Sequence, residues 1–129
     1  MFLKKDTLSY GGASVELYEL SGLQRVEYLE YIQQRTAQYD EETADVSEED
    51  RRVAFLRMGV DINAWLVSRS LWNSDQTQDI DSLSGHIASL WSYDALGQGA
   101  DMVLLLSGMT APGTDSDADP EEADSPEKP

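Results

Sequence analysis

The sequence predicts an α+β fold, mainly α, in which an N-terminal β-hairpin packs on about four helices and a disordered acidic C-terminal tail follows. Three observations carry this reading. Gly11-Gly12 separates two strand-like stretches, several later stretches repeat apolar residues at helical spacing behind Ser or Asp caps, and beyond residue 109 apolar residues almost vanish. Residues 1–109 are therefore read as one domain and residues 110–129 as a tail.

The hairpin rests on its turn. Adjacent glycines accept the positive φ angles of a two-residue loop. The first strand lies within Phe2–Tyr10. The second begins at Ala13, where Val15 and Leu17 alternate with Ser14, Glu16 and Tyr18 as in a half-buried strand. Two strands alone are marginal, so the hairpin must lie on helices or pair with another chain.

Ser21-Gly22-Leu23-Gln24 has the pattern of a capping box and opens a helix from about Gly22 to Tyr39. Leu23, Val26, Leu29, Ile32 and Thr36 form its expected buried stripe, with Gln24, Glu27, Tyr31, Gln34, Arg35 and Gln38 on the opposite face. Asp40 to Asp50 holds seven carboxylates and reads as an acidic loop. Ser47 then caps a long helix, Glu48 to Trp72, whose first turn of acids suits a helix N-terminus. That helix has two apolar faces: Val53, Leu56, Val60, Ala64, Val67 and Leu71 on one, Ala54, Met58, Ile62, Trp65 and Trp72 on the other. Asn73–Asp79 reads as a loop. Asp81 is the expected cap of a short helix with Leu83, Ile87 and Leu90 inward. Ser92 caps the last helix, where Leu96, Ala100, Val103 and Ser107 share a face. Gly97 and Gly99 weaken its start, and Gly108 suits its C-terminal turn.

Composition restricts function more than it reveals it. The net charge is −16, which repels phosphate and anionic membrane surfaces, so neither nucleic acid nor membrane is an expected partner. The chain has no cysteine, which removes disulfides, thiolate zinc sites and thiol catalysis. The start carries no apolar run of signal-peptide type, and a cytoplasmic location is expected. The single histidine, His86, has no ligand or nucleophile at useful spacing. Asp115-Ser116-Asp117-Ala118-Asp119 lacks the glycine and terminal glutamate of a calcium loop, and Gly97-Gln98-Gly99 is no phosphate loop. The expectation is a non-enzyme with no cofactor or metal.

Aromatic residues are the remaining candidates for partner binding. Tyr31 sits on a polar helix face, and Trp72 ends the long helix. Met58, Ile62 and Trp65 belong to the face expected to be less covered, which would meet a second copy or another protein. The alternative is that the hairpin covers that face.

Three separated stretches carry a family resemblance. Glu19-Leu20-Ser21-Gly22-Leu23-Gln24-Arg25-Val26-Glu27-Tyr28-Leu29, Ser70-Leu71-Trp72 and Leu106-Ser107-Gly108-Met109, together with Met1-Phe2-Leu3-Lys4 at the start, resemble the minor tail protein G family of lambda-like siphophages. The segments 36–50 and 73–91 match poorly. The resemblance implies a tail assembly chaperone, active in the host cytoplasm during tail morphogenesis and absent from the mature virion. It implies that the chain binds the tape measure protein and keeps it soluble. It further implies an extended form, made by ribosomal frameshifting, that brings in major tail protein; a homo-oligomer is expected as well. Two other functions compete. One is a structural minor tail component retained in the virion. The other is an acidic regulator or DNA mimic, against which stands the gathering of about half the acids into residues 40–50 and the tail.

The tail composition yields one expectation about folding. Deleting Thr110–Pro129 removes nothing that packs a core. The melting temperature followed by circular dichroism should stay within a few degrees of the full chain, and a larger drop would mean that the tail docks on the domain.

Overall fold

The computed structural model describes residues 2–109. Its elements run β1 (Lys5–Tyr10), β2 (Ala13–Tyr18), α1 (Gly22–Glu42), α2 (Glu48–Trp72), α3 (Ile80–Leu90) and α4 (Tyr93–Leu106). The hairpin and four helices follow the sequence reading. The disordered tail expected at 110–129 lies outside the described residues.

The hairpin pairs antiparallel with Tyr10 opposite Ala13. Gly11 and Gly12 take φ values of 58° and 86°, the pair of positive angles that a two-residue turn of this kind requires. One face is buried through Leu8 and Leu17, with Val15 half-buried. The other is solvated: Lys5 pairs with Glu16 at 3.5 Å, and the Ser9 and Ser14 hydroxyls lie 3.1 Å apart. The buried face lies on α4 and α2.

Helix α2 is the axis of the domain and packs against α1, α3, α4 and β2. Its burial changes along its length. From Ile62 to Ser70 nearly every residue is buried, and Leu66, Val67, Ser68 and Ser70 are almost wholly so. Each such Leu or Val contributes about 1.5–3 kcal/mol through burial. In the N-terminal half, Val53, Phe55 and Leu56 stay exposed. The contrast thus runs from end to end of the helix, in addition to any difference between its two apolar faces.

Helix α4 buries the face read from the sequence, Leu96, Ala100, Val103 and Ser107. It begins at the Ser92 cap, whose hydroxyl accepts from the Ala95 N–H. It ends in a paired turn: Gly108 N–H donates to Leu105 and Met109 N–H to Leu104, with Gly108 at φ 70°. Gly99 has a packing role that the sequence did not disclose. A Cβ there would meet Trp91 and Val67 at 3.2 Å and Leu8 at 3.6 Å, so the missing side chain lets the hairpin and α2 close on α4.

Several details differ from expectation. Helix α1 runs three residues past Tyr39 into the acidic stretch, because Asp and Glu can continue an exposed helix. Asp79, not Asp81, caps α3 by accepting from the Ser82 N–H, and this bond holds the Asp79 carboxyl below its usual range. In α3, Ile87 is buried and Leu83 half-buried, but Leu90 is exposed, since the helix ends there and the chain turns away at Trp91.

The largest correction concerns α1. Leu23, Val26, Leu29 and Thr36 are exposed, and of the expected stripe only Ile32 is half-buried. Gln24, Tyr28 and Arg35, on the face taken as polar or left unassigned, are inside. The cause is a set of polar contacts that fix the helix's rotation. Ser21 and Gln24 form the full capping box. The Gln24 amide also exchanges two hydrogen bonds with Asn73 at the end of α2, at 3.0 and 2.8 Å. Asn73 further donates to the Glu19 carbonyl at 3.2 Å. Farther along, Arg35 donates to Asp61 from two nitrogens at 3.1 Å each. A helix so tied cannot turn its leucines inward without leaving buried amides unpaired.

Asn73→Ala should therefore cost about 1–3 kcal/mol, because the Gln24 side chain would stay buried without its partner. Urea unfolding measures the loss, and the double variant with Gln24→Ala should recover part of it.

Candidate partner interface

Of the five aromatic and apolar residues singled out in the sequence, Tyr31, Met58, Ile62 and Trp65 join one core cluster and Trp72 stands apart at the end of α2. Trp65 lies at the centre of that cluster, 7% exposed. Tyr31 stacks on it with ring centroids 5.6 Å apart, Tyr28 tilts against it at 5.7 Å, and the Arg69 guanidinium sits 4.3 Å from its centroid. Ile62 is buried, and Met58 and Tyr31 are half-buried against the same cluster. Trp72 is half-covered at the helix end, and its indole N–H donates to the Gln78 carbonyl at 3.1 Å. Helix α1, rather than the hairpin, supplies the aromatic cover of Trp65. Burial removes Ile62 and Trp65 from the free surface, so these residues join α1 to α2.

The apolar groups that do reach solvent lie elsewhere. Val53 and Leu56 of α2 are 62% and 49% exposed. With Val60, Arg57 and Asp61 they form one wall of an open groove of about 460 Å³, and Ala88, Ser89 and Tyr93 from the α3–α4 junction form the other. A second groove, about 330 Å³, lies on the far side of that junction, between Trp91, Leu90 and Ala95 and the hairpin residues Leu8, Tyr10 and Val15. The exposed Leu90 and Tyr93 stand between them. Phe55 is also exposed, steadied by an edge-on contact with Tyr39. Exposed aliphatic and aromatic side chains thus gather around both grooves, which makes these the candidate partner surfaces.

Among the described residues no group of His, Cys, Asp or Glu side chains is placed to hold a metal ion, and no helix is long and apolar enough to cross a membrane. The grooves are lined mostly by aliphatic and aromatic side chains, which suits binding of a chain rather than bond chemistry.

A family model described as bacteriophage lambda tail assembly chaperone, TAC, protein G matches residues 1–127. The chain belongs to this family. Tail assembly protein G of Escherichia phage N15 is 32% identical over 124 residues, covering 89% of this chain and 82% of that protein. Tail assembly protein G of Escherichia phage lambda is 28% identical over 136 residues, covering 95% and 92%. The N15 protein named tail assembly protein GT aligns at the same 32%, but the chain spans only 46% of its length. No solved structure matches.

Within this member of the lambda tail assembly chaperone family, the three short stretches that carried the resemblance come together, directly through Ser107 and Leu20 and otherwise through the flanking Tyr18 and Asn73. Ser70 accepts from the Tyr18 N–H at 2.6 Å, Asn73 holds Glu19 and Gln24, and Ser107 accepts from the Leu20 N–H at 2.9 Å. Sequence spacing showed their order but not that they form one junction.

The aromatic cluster has a measurable signature. The Tyr28 hydroxyl is buried and makes no hydrogen bond among the described residues, and burial pushes its pKa from 10.0 up to about 12. In the unfolded chain this phenol ionises near pH 10, so between about pH 10 and 12 the unfolded state loses the proton first and stability falls as pH rises. Tyr28→Phe should abolish that part of the alkaline loss. It should leave stability at neutral pH unchanged or raise it by up to about 1 kcal/mol. Urea unfolding of both proteins at neutral and alkaline pH checks both expectations.

Proposed function

We propose that this tail assembly chaperone binds the tape measure protein, keeps it soluble during tail morphogenesis, and leaves before the virion is complete. The observation that carries the reading is the open apolar groove of Val53, Leu56, Val60, Ala88 and Tyr93 on a chain of net charge −16. A long helical client exposes apolar stripes that must be covered for a time and then released. An open groove gives modest affinity per copy, and many copies along the client supply the rest. The negative charge keeps the covered complex soluble and away from DNA.

Residues 1–109 are the chaperone domain in this reading. Tyr31, Met58, Ile62, Trp65 and Trp72 serve partner binding indirectly, by holding α1 on α2 and so shaping the exposed surfaces. The match to the longer GT protein supports an extended form, made by ribosomal frameshifting, that brings in major tail protein. Host cytoplasm is the site of action, and homo-oligomers are the working state.

Co-expression with the tape measure protein tests the reading. The chaperone should shift that protein into the soluble fraction. Leu56→Asp should melt within a few degrees of the original, since Leu56 is already half exposed, yet lose most of the solubilising effect. An unchanged Leu56→Asp variant would exclude the groove. Insoluble tape measure protein in the presence of the unaltered chain would overturn the function itself.

A further inference from the structure

Helix α1 shows solvent the side chains that a helix of its sequence would ordinarily bury. Leu23, Val26 and Leu29 are 69%, 53% and 55% exposed. The capping box, the Gln24–Asn73 pair and the Arg35–Asp61 pair hold the helix in this rotation. The aliphatic face is thus fixed outward by the fold. Helix α1 packs chiefly on α2, which leaves its outer side uncovered.

Residues three apart on a helix form an oblique ridge. From Leu23 to Leu29 the ridge rises about 9 Å, roughly two turns. Its natural complement is the groove between residues four apart on a second helix, met at a shallow crossing angle. Charge then selects among helices. Glu27 and Glu30 line the Leu23 side of the ridge, and both are exposed. Neither forms an ion pair among the described residues, although Glu27 is near enough to act on Arg69. Arg25 stands on the other side. At this ridge a second copy of the chain fits poorly, because antiparallel pairing across Val26 would bring the two Glu27 edges together.

We propose that the Leu23–Val26–Leu29 ridge docks an amphipathic helix of the client, one that carries Lys or Arg along the edge facing Glu27 and Glu30. This rests on the reading of the chain as chaperone of a helical client, and it adds a second contact, remote from the α2 groove, that selects its ligand by charge.

Two synthetic helical peptides of about 18 residues test it, identical in their leucine seam but edged with Lys in one and Glu in the other. Fluorescence anisotropy against the full chain at low salt should show the Lys-edged peptide binding about ten-fold more tightly, the effect of two surface charge pairs. Glu27→Lys with Glu30→Lys should erase or reverse that preference. Glu41→Lys with Glu49→Lys, which makes the same change in net charge away from the ridge, should preserve it. Val26→Asp should fold normally by circular dichroism and lose binding of both peptides. Equal effects of the two charge-reversal pairs would overturn the proposal by reducing the preference to overall charge. So would unchanged peptide binding by Val26→Asp, or a ridge variant that alters only the sedimentation of the free chain, which would assign the ridge to a second copy. Solubilisation of the tape measure protein by the unaltered chain is scored separately. If it fails while the peptide preferences hold, the function reading falls and the ridge specificity stands. If it succeeds unchanged with Val26→Asp, the client does not use the ridge and the proposal fails.

Discussion

The architecture depends on one buried polar junction, where the chain leaves the hairpin and enters α1. Two helix ends supply three side chains to it: Ser70 and Asn73 from α2 and Ser107 from α4. Their targets are the Tyr18 N–H at the end of β2, and the Glu19 carbonyl and Leu20 N–H in the link to α1. Unpaired, each such buried group would cost free energy comparable to a lost hydrogen bond. Paired, they determine where the hairpin sits and at what rotation α1 starts. A purely apolar contact would tolerate sliding and rotation. Directional bonds do not, which is why a small set of amides and hydroxyls fixes which apolar faces of the molecule turn outward.

That constraint also explains what the sequence did and did not reveal. Signals that act over a few residues were readable. Gly11-Gly12 specified the turn, Ser21, Ser47 and Ser92 specified helix starts, and Gly108 specified a helix end. The inward face of α4 was readable because its aliphatic residues follow one stripe with no polar competitor. The rotation of α1 was not readable. Its aliphatic residues Leu23, Val26, Leu29 and Ile32 follow one stripe, and the partner that settles the matter, Asn73, lies 49 positions from Gln24. Periodicity assumes that burial follows hydrophobicity, and here a long-range hydrogen-bonded pair overrides it. Gly99 was misleading for a related reason: locally it only weakens a helix, whereas its value lies in contacts with Leu8, Val67 and Trp91. The candidate site was half legible. Trp65 and its neighbours are a coherent group, but their role in the fold is to seat α1, and the open surface lies beside them.

Exposed aliphatic surface and high negative charge are usually opposed traits, since one favours association and the other resists it. Their coexistence suits a protein that must meet a sticky partner yet not precipitate with its own kind. The balance is spatial as well as numerical. The polar strand face, with its Lys5–Glu16 pair, is kept apart from the groove of α2. The domain therefore keeps its polar strand face distinct from its apolar grooves.

The end of α4 has a geometric consequence. Ser107 is bonded to Leu20, and the Gly108 turn packs Met109 against the core. Residue 109 thus leaves the domain beside the C-terminal end of α2, whereas Phe55 and Leu56 lie about 25 Å away along the same helix. Anything continuing beyond this point starts at the opposite pole from the groove. The exit point therefore lies at the end of the domain where α1 begins, a helix-length from the α2 groove.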